Sequence, residues 1–330
     1  MSLRAYFRLF THTQLMPILE NGEETLVGGQ AVIEGVMMRA PHSYCVAVRK
    51  KDGTMVTQEQ PLPRLSERHP IFKLPVLRGV GTLFQAMSLG MKALKFSADV
   101  NMEDIQEEEK ARDPKAKEVP GWVMTANVVV SLLMFIFMYK FIPLAVATWL
   151  KGIFPVLNER IPFNLVDGMV RMLIFLGFMW GLSYMKDIRR VFEYHGAEHK
   201  VVFNFESGKP VTVENAQRFT TFHPRCGTSF LFVVIIVSIV FYTFIPFDGF
   251  VGKLLSRIAL LPVIAGVSYE LIRFAAKRRG SVLATMTAPG LWLQRITTKP
   301  PADDQTAVAI RALEGAMALE ERQGGELVIA

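Results

Sequence analysis

Apolar residues along this chain are gathered into long uncharged runs rather than spread at helical or strand spacing. No charge interrupts Cys226–Phe247 or Val119–Tyr139, and after Lys140 the chain stays apolar to Leu150. A membrane-crossing helix needs about 20 mostly apolar residues, so both runs predict spans. Two weaker runs predict two more. Met172–Met185, extended back through Phe163–Arg171, contains Asp167 and Arg171; Ile258–Ala276 contains Glu270 and Arg273. Each charged pair is spaced to meet on one helix face, and Asp167 with Arg171 reads as an intramembrane pair. The expected fold class is a mainly α membrane protein, a four-helix transmembrane bundle over residues 121–280 with a small N-terminal β-containing domain.

Outside these runs the pattern changes. After a tail over 1–24, residues 25–73 are strand-like: Tyr44–Arg49 and Thr54–Thr57 flank Asp52–Gly53, a hairpin signal. Residues 74–96 switch to helical spacing, with Val76, Val80, Phe84, Met87, Met91 and Leu94 forming one stripe. This predicts an amphipathic helix at the membrane interface. Residues 97–120 read as a charged linker. Residues 281–330 form a C-terminal segment with an amphipathic helix over Pro301–Arg322 and Asp303 or Asp304 near its N-cap. Two phrases recur: Tyr139–Pro143 echoes Tyr242–Pro246, and Gly181–Tyr184 echoes Gly266–Tyr269. They raise the expectation of two duplicated helical hairpins. Gly177 and Gly181 are spaced for close helix packing, including packing in a homo-oligomer.

Charge fixes the orientation. Lys186, Arg189 and Arg190 follow the second span and Lys277, Arg278 and Arg279 the fourth, whereas the opposite loops carry Lys151, Arg160, Lys253 and Arg257. The positive-inside rule places both termini and the 186–225 loop in the cytoplasm. The first 25 residues lack the apolar core of a cleavable signal. The net charge of +7 suits anionic lipid heads, so the bilayer is the expected partner. No basic-aromatic pattern argues for nucleic acid. Cys45 and Cys226, the two cysteines, both fall on the cytoplasmic side, where a disulfide is not expected.

The residues that carry chemistry follow the second span: Glu193-Tyr-His195-Gly-Ala-Glu198-His199-Lys200. On a helix, His195 and His199 lie one turn apart on one face and can hold one Zn²⁺ or another divalent transition metal. Glu198 beside them is placed to act as a base, and the H-x-x-E-H order is the inverted zinc-protease motif. Gly196 weighs against the helix by about 1 kcal/mol. Downstream, His223-Pro-Arg-Cys226 offers a two-ligand knuckle before the third span. His195, His199, His223 and Cys226 together would fill a tetrahedral, structural site; a catalytic site follows if one of the four stays out. Glu270 and Glu193 are candidate supporting groups around it. Glu34 and Arg39, among glycines, read as ordinary strand and turn.

Gly28–Pro41 (GGQAVIEGVMMRAP), Tyr194–Lys200 (YHGAEHK) and His223–Phe230 (HPRCGTSF) resemble the YqhQ-like family of bacterial membrane proteins, a family of unknown function. The resemblance runs from about residue 25 to about residue 320. It implies a multi-pass protein of the bacterial plasma membrane, and members are labelled predicted metal-dependent enzymes on much the same His/Glu pattern. Three functions follow as expectations. The first is a metal-dependent hydrolase acting on a lipid or a membrane-bound peptide. The second is a non-enzymatic scaffold or regulator of a membrane-protein partner, with a structural metal. The third is a small oligomeric transporter using Asp167 and Arg171.

Overall fold

The computed structural model describes residues 27–63, 69–112, 121–223, 226–247, 249–277 and 288–322. The tail expected over 1–24, residues 113–120 of the expected linker and the basic residues Arg278 and Arg279 lie outside them.

Four strands, β1 (Gly28–Val32), β2 (Gly35–Arg39), β3 (Ser43–Arg49) and β4 (Met55–Pro61), form an antiparallel meander in chain order. The Asp52–Gly53 turn forms as its sequence predicts: the Thr54 amide and hydroxyl both donate to Asp52 Oδ1, and Gly53 adopts φ +89°. β2 and β3 are buried almost throughout, because both faces of the sheet are covered. On one face Val32, Met37, Val46 and Val48 meet Leu89, Ala93 and Val100 of helix α1 (Leu77–Arg112). On the other face Val36, Met38, Cys45 and Ala47 meet α5 (Lys186–Glu206) and the C-terminal helix α11 (Asp303–Arg322). Two-sided burial is what a near-continuous apolar strand requires.

α1 corrects one expectation. It continues through 97–112, which was expected to be linker; Ser97 and Val100 are still buried, and over 103–112 Glu, Gln, Lys and Ala dominate and favour helix. The face that packs on the sheet is Leu89, Ala93, Ser97 and Val100, whereas Phe84, Met87, Met91 and Leu94 remain exposed. α11 starts at the expected acidic residues, and its apolar side (Val308, Leu313, Ala316) belongs to the sheet core.

The apolar runs fold as α2 (Gly121–Ile136), a π-helical turn (Phe137–Phe141), α3 (Ile142–Lys151), α4 (Arg160–Leu182), α7 (Gly227–Thr243), α8 (Phe250–Ala259) and α9 (Leu261–Lys277), with the short α6 (Val213–Gln217) between α5 and α7. Among the described residues, two spans are long and apolar enough to cross a membrane, Val129–Lys151 and Arg160–Leu182; the α8–α9 pair qualifies as a third if its 49° bend lies within one span. Phe230–Thr243 is apolar but shorter. Large apolar side chains such as Leu133, Met169 and Leu173 point outward, as a lipid-facing surface requires. The recurring phrases fall in unlike places. Tyr139–Pro143 continues into α3, with the proline tolerated in its first turn, whereas Tyr242–Pro246 runs from the end of α7 into a loop. Gly181–Tyr184 ends α4, but Gly266–Tyr269 is interior to α9.

Gly177 and Gly181 have no neighbour within 4 Å of where a side chain would begin, so no close crossing within the described chain uses them. The close crossing is instead between α1 and α9. There a Cβ on Gly79 would stand 2.9 Å from the Gly266 carbonyl, and Arg78 ion-pairs with Glu270. Arg257, expected in a loop, is buried and bonded to Asp167, because α8 turns that face into the bundle.

Candidate metal centre

α5 is continuous through Gly196, so His195 and His199 do share a face, with ring centroids 4.5 Å apart. Gly196 is there for a close approach: a Cβ would lie 2.0 Å from the Lys299 carbonyl oxygen. The stretch after α10 (Ala288–Thr297) runs against α5 at this point. Its Lys299 amide donates to the Phe192 carbonyl, and its Thr297 carbonyl accepts from His195 Nδ1 at 2.8 Å. His199 Nδ1 meets the Thr221 carbonyl at 2.5 Å. A carbonyl can only accept, so both Nδ1 atoms carry the proton and both Nε2 atoms present a lone pair.

Those lone pairs converge with the Cys226 sulfur, which stands at the N-cap of α7. One donor atom from each of His195, His199 and Cys226 lies within 4.8 Å of the others, and Sγ is 3.3 Å from His195 Nε2. Zinc bonds of about 2.05 Å to nitrogen and about 2.3 Å to sulfur at a tetrahedral angle would set N and S about 3.6 Å apart. The donors present therefore fit such an ion with small adjustments. Burial holds the His199 ring below the ordinary imidazole range, so it is neutral, as a ligand must be.

Glu198 Oε2 lies 3.4 Å from His199 Nε2. Two acceptor atoms face each other there, which is unfavourable unless a proton or a cation lies between them. Burial pushes the Glu198 carboxyl up, opposed by His195, His223 and a hydrogen bond from the Gly29 amide. That amide belongs to β1, which closes over the carboxylate so tightly that a Cβ on Gly29 would stand 2.6 Å from Glu198 Cγ.

His223 is drawn elsewhere. Its main-chain amide and carbonyl are both held by the Gln294 side chain at 2.8 Å. Its ring packs on Phe203 at 4.4 Å, and Nε2 faces Glu206 Oε2 at 3.5 Å. Burial pushes this imidazole down to about 4, so the contact with Glu206 is not an ion pair at neutral pH. The two supporting carboxylates are also engaged elsewhere: Glu270 with Arg78 and the Val76 amide, Glu193 with Arg189 and Gln305. Glu34 sits at the β1–β2 turn with φ +51° and pairs with Arg190 at the start of α5. Sequence reasoning missed Thr221, Thr297, Gln294 and Gly29. The first two act through main-chain carbonyls, which leave no residue signature.

Comparison with known proteins adds family but not chemistry. Residues 74–319 match the family model described as "Protein of unknown function (DUF1385)". The chain is 35% identical over 297 residues to the uncharacterized protein YqhQ of Bacillus subtilis (strain 168), covering 89% of this chain and 92% of that protein. No solved structure matches.

Proposed function

Because the chain belongs to the DUF1385 family, whose description names no reaction, we propose its function from the site itself: a metal-dependent hydrolase at the cytoplasmic face of the bacterial plasma membrane. One observation carries the reading. His195 and His199 both commit Nδ1 to main-chain carbonyls and turn acceptor Nε2 atoms toward the sulfur of Cys226. This is the arrangement by which a protein fixes the tautomer and orientation of metal-ligating histidines.

The membrane frame uses α2–α3, α4, α7 and α9 as four spans. The Lys and Arg bias around α4 and α9 puts α5, the sheet and both termini in the cytoplasm. The centre then sits where α4 gives way to α5, at the membrane surface. The substrate class is a lipid or a membrane-bound peptide, delivered along that surface.

Three protein ligands leave a fourth position, the mark of a catalytic rather than a closed site. A zinc or similar ion held by His195, His199 and Cys226 would supply Lewis acidity and lower the pKa of bound water. Glu198 accepts the proton from the attacking water. Its carboxyl, pushed up by burial, is shifted toward the range where a general base works at neutral pH. Gly29 orients that carboxylate through its amide.

A second reading has a specific observation behind it. Glu198 is close enough to His199 Nε2 to serve as a fourth ligand, which would make the site closed and structural and the protein a scaffold for a membrane-protein partner. Elemental mass spectrometry of the purified protein tests the metal. About one transition-metal ion per chain is expected, lost in His195→Ala, His199→Ala and Cys226→Ser and kept in His223→Ala. A wild-type protein that stays metal-free after zinc reconstitution would sink both readings. X-ray absorption of Glu198→Gln separates them. An unchanged metal shell supports the base, whereas a lost oxygen ligand supports the structural site.

A further inference from the structure

The end of α4 remote from α5 holds a second polar cluster that the His/Cys centre does not use. Asp167 and Arg171 pair within α4. Arg257 of α8 donates to Asp167 Oδ1 at 2.6 Å and to Asn164 Oδ1 at 2.8 Å. Arg171 also donates to the Ser238 hydroxyl, and Lys140 donates to the Tyr242 hydroxyl. All of these polar groups except Tyr242 stand among the buried polar residues, and Tyr242 is buried with them. Three cationic side chains thus surround one carboxylate, each of whose oxygens is already taken by one arginine. Buried charge in an apolar slab is costly unless it is balanced.

Two observations show where the balance would come from. Among the described residues, Nε of both Arg171 and Arg257 is buried without a hydrogen-bond partner. Arg257, although buried, also reaches the lining of a cleft of about 30 Å³. With Asn164 it forms part of a wall whose described residues include the cations Lys151, Arg160 and Lys253 and one carboxylate, Glu159. A guanidinium fork with a spare donor, ringed by further cations, matches a tetrahedral oxyanion rather than a neutral solute.

We propose that this cleft binds a phosphate group, either free phosphate or the headgroup of a phospholipid, with Arg257 as its deep contact and Lys151 and Arg160 at its rim. The site is separate from the His/Cys centre, lying about 30 Å away along α4. In the membrane frame proposed above it opens to the other side of the bilayer.

The test uses full-length protein in neutral detergent, beside a Lys151→Gln/Arg160→Gln variant that leaves the Asp167 pairs intact. Thermal unfolding is followed against sodium phosphate and against sodium chloride of equal ionic strength. Saturable stabilisation by phosphate alone, weakened roughly tenfold or more in the variant, is the expected result for a free anion. In a second arm the protein is delipidated and reloaded with phosphatidylglycerol or with diacylglycerol, and retained lipid is counted by native mass spectrometry. One phosphatidylglycerol held per chain by wild type but not by the variant, with no diacylglycerol retained, assigns the headgroup. Absence of both responses in wild type, or equal responses in the variant, overturns the proposal. Metal content of the variant equals that of wild type, so failure here is distinguishable from failure of the metal reading.

Discussion

Gly196→Ala separates helix propensity from site geometry, because the two predict opposite signs. Replacing a helical glycine by alanine stabilises an exposed helix by about 1 kcal/mol. Here the added carbon would stand 2.0 Å from the Lys299 oxygen and 3.2 Å from Thr221 Cγ2. The Lys299 carbonyl is main chain and must retreat by roughly 1 Å or more to reach ordinary contact. That displacement strains two hydrogen bonds, Lys299 amide to Phe192 carbonyl and His195 Nδ1 to Thr297 carbonyl. Each is worth about 1 kcal/mol, and a buried partner left unpaired costs about 1–3 kcal/mol more. After the helix gain is subtracted, a net loss of about 2–4 kcal/mol is expected. His195 also loses the acceptor that fixes its tautomer, which should weaken metal binding by about 10- to 100-fold. Thermal unfolding and zinc competition with a chromophoric chelator read the two effects. Gly181→Ala is the control, since nothing lies near its added carbon, and it should be neutral or stabilising. A Gly196→Ala protein that unfolds no lower than wild type and binds zinc equally well would refute the reasoning.

Three further outcomes are expected. Burial and Glu59 push the Cys45 thiol up to about 12, so a maleimide at pH 8 should label Cys226 in metal-stripped protein, be blocked there by zinc, and reach Cys45 only on unfolding. Asp167→Ala strands two buried arginines and should destabilise by about 3–5 kcal/mol, seen as a large drop in unfolding temperature. Burial alone would raise the Glu320 carboxyl, but bonds from the Ser43 hydroxyl and the His42 amide and ring outweigh it and hold it below its usual 4.5. A depressed folded pKa stabilises above the unfolded value and is lost as pH falls through the folded one. The unfolding-temperature gap between wild type and Glu320→Gln should therefore be constant near neutrality and shrink below about pH 4.5.

The hairpin at Asp52–Gly53, the helix carrying His195 and His199, and the acidic start of α11 were legible because each rests on local chemistry: a turn dipeptide, a one-turn spacing, an N-terminal carboxylate. The face of α1 that packs on the sheet went unseen for a reason that is also physical. Hydrophobic periodicity selects large side chains, and it found Phe84, Met87, Met91 and Leu94. A helix lying flat on a sheet selects small ones, so Ala93, Ser97 and Gly90 mark the packed face. Arg257 was misplaced because a charge beside an apolar run counts as loop unless its partner is known, and Asp167 lies 90 positions upstream.

The centre itself was half legible. Spacing identified all four nitrogen and sulfur candidates, but it could not say which way His223 faces. A His-x-x-Cys pair acts as a knuckle only when both side chains turn to one point. Gln294, from α10, takes both main-chain groups of His223, and Phe203 takes one face of the ring, which leaves Nε2 directed at Glu206. None of those partners is near His223 in sequence. For the proposed metal centre, the same packing bears on the chemistry. Four converging donors would complete a tetrahedral shell, whereas three leave the vacancy that a substrate or Glu198 must fill. The choice between enzyme and scaffold therefore turns on how one imidazole is packed, a tertiary property that residue spacing does not encode.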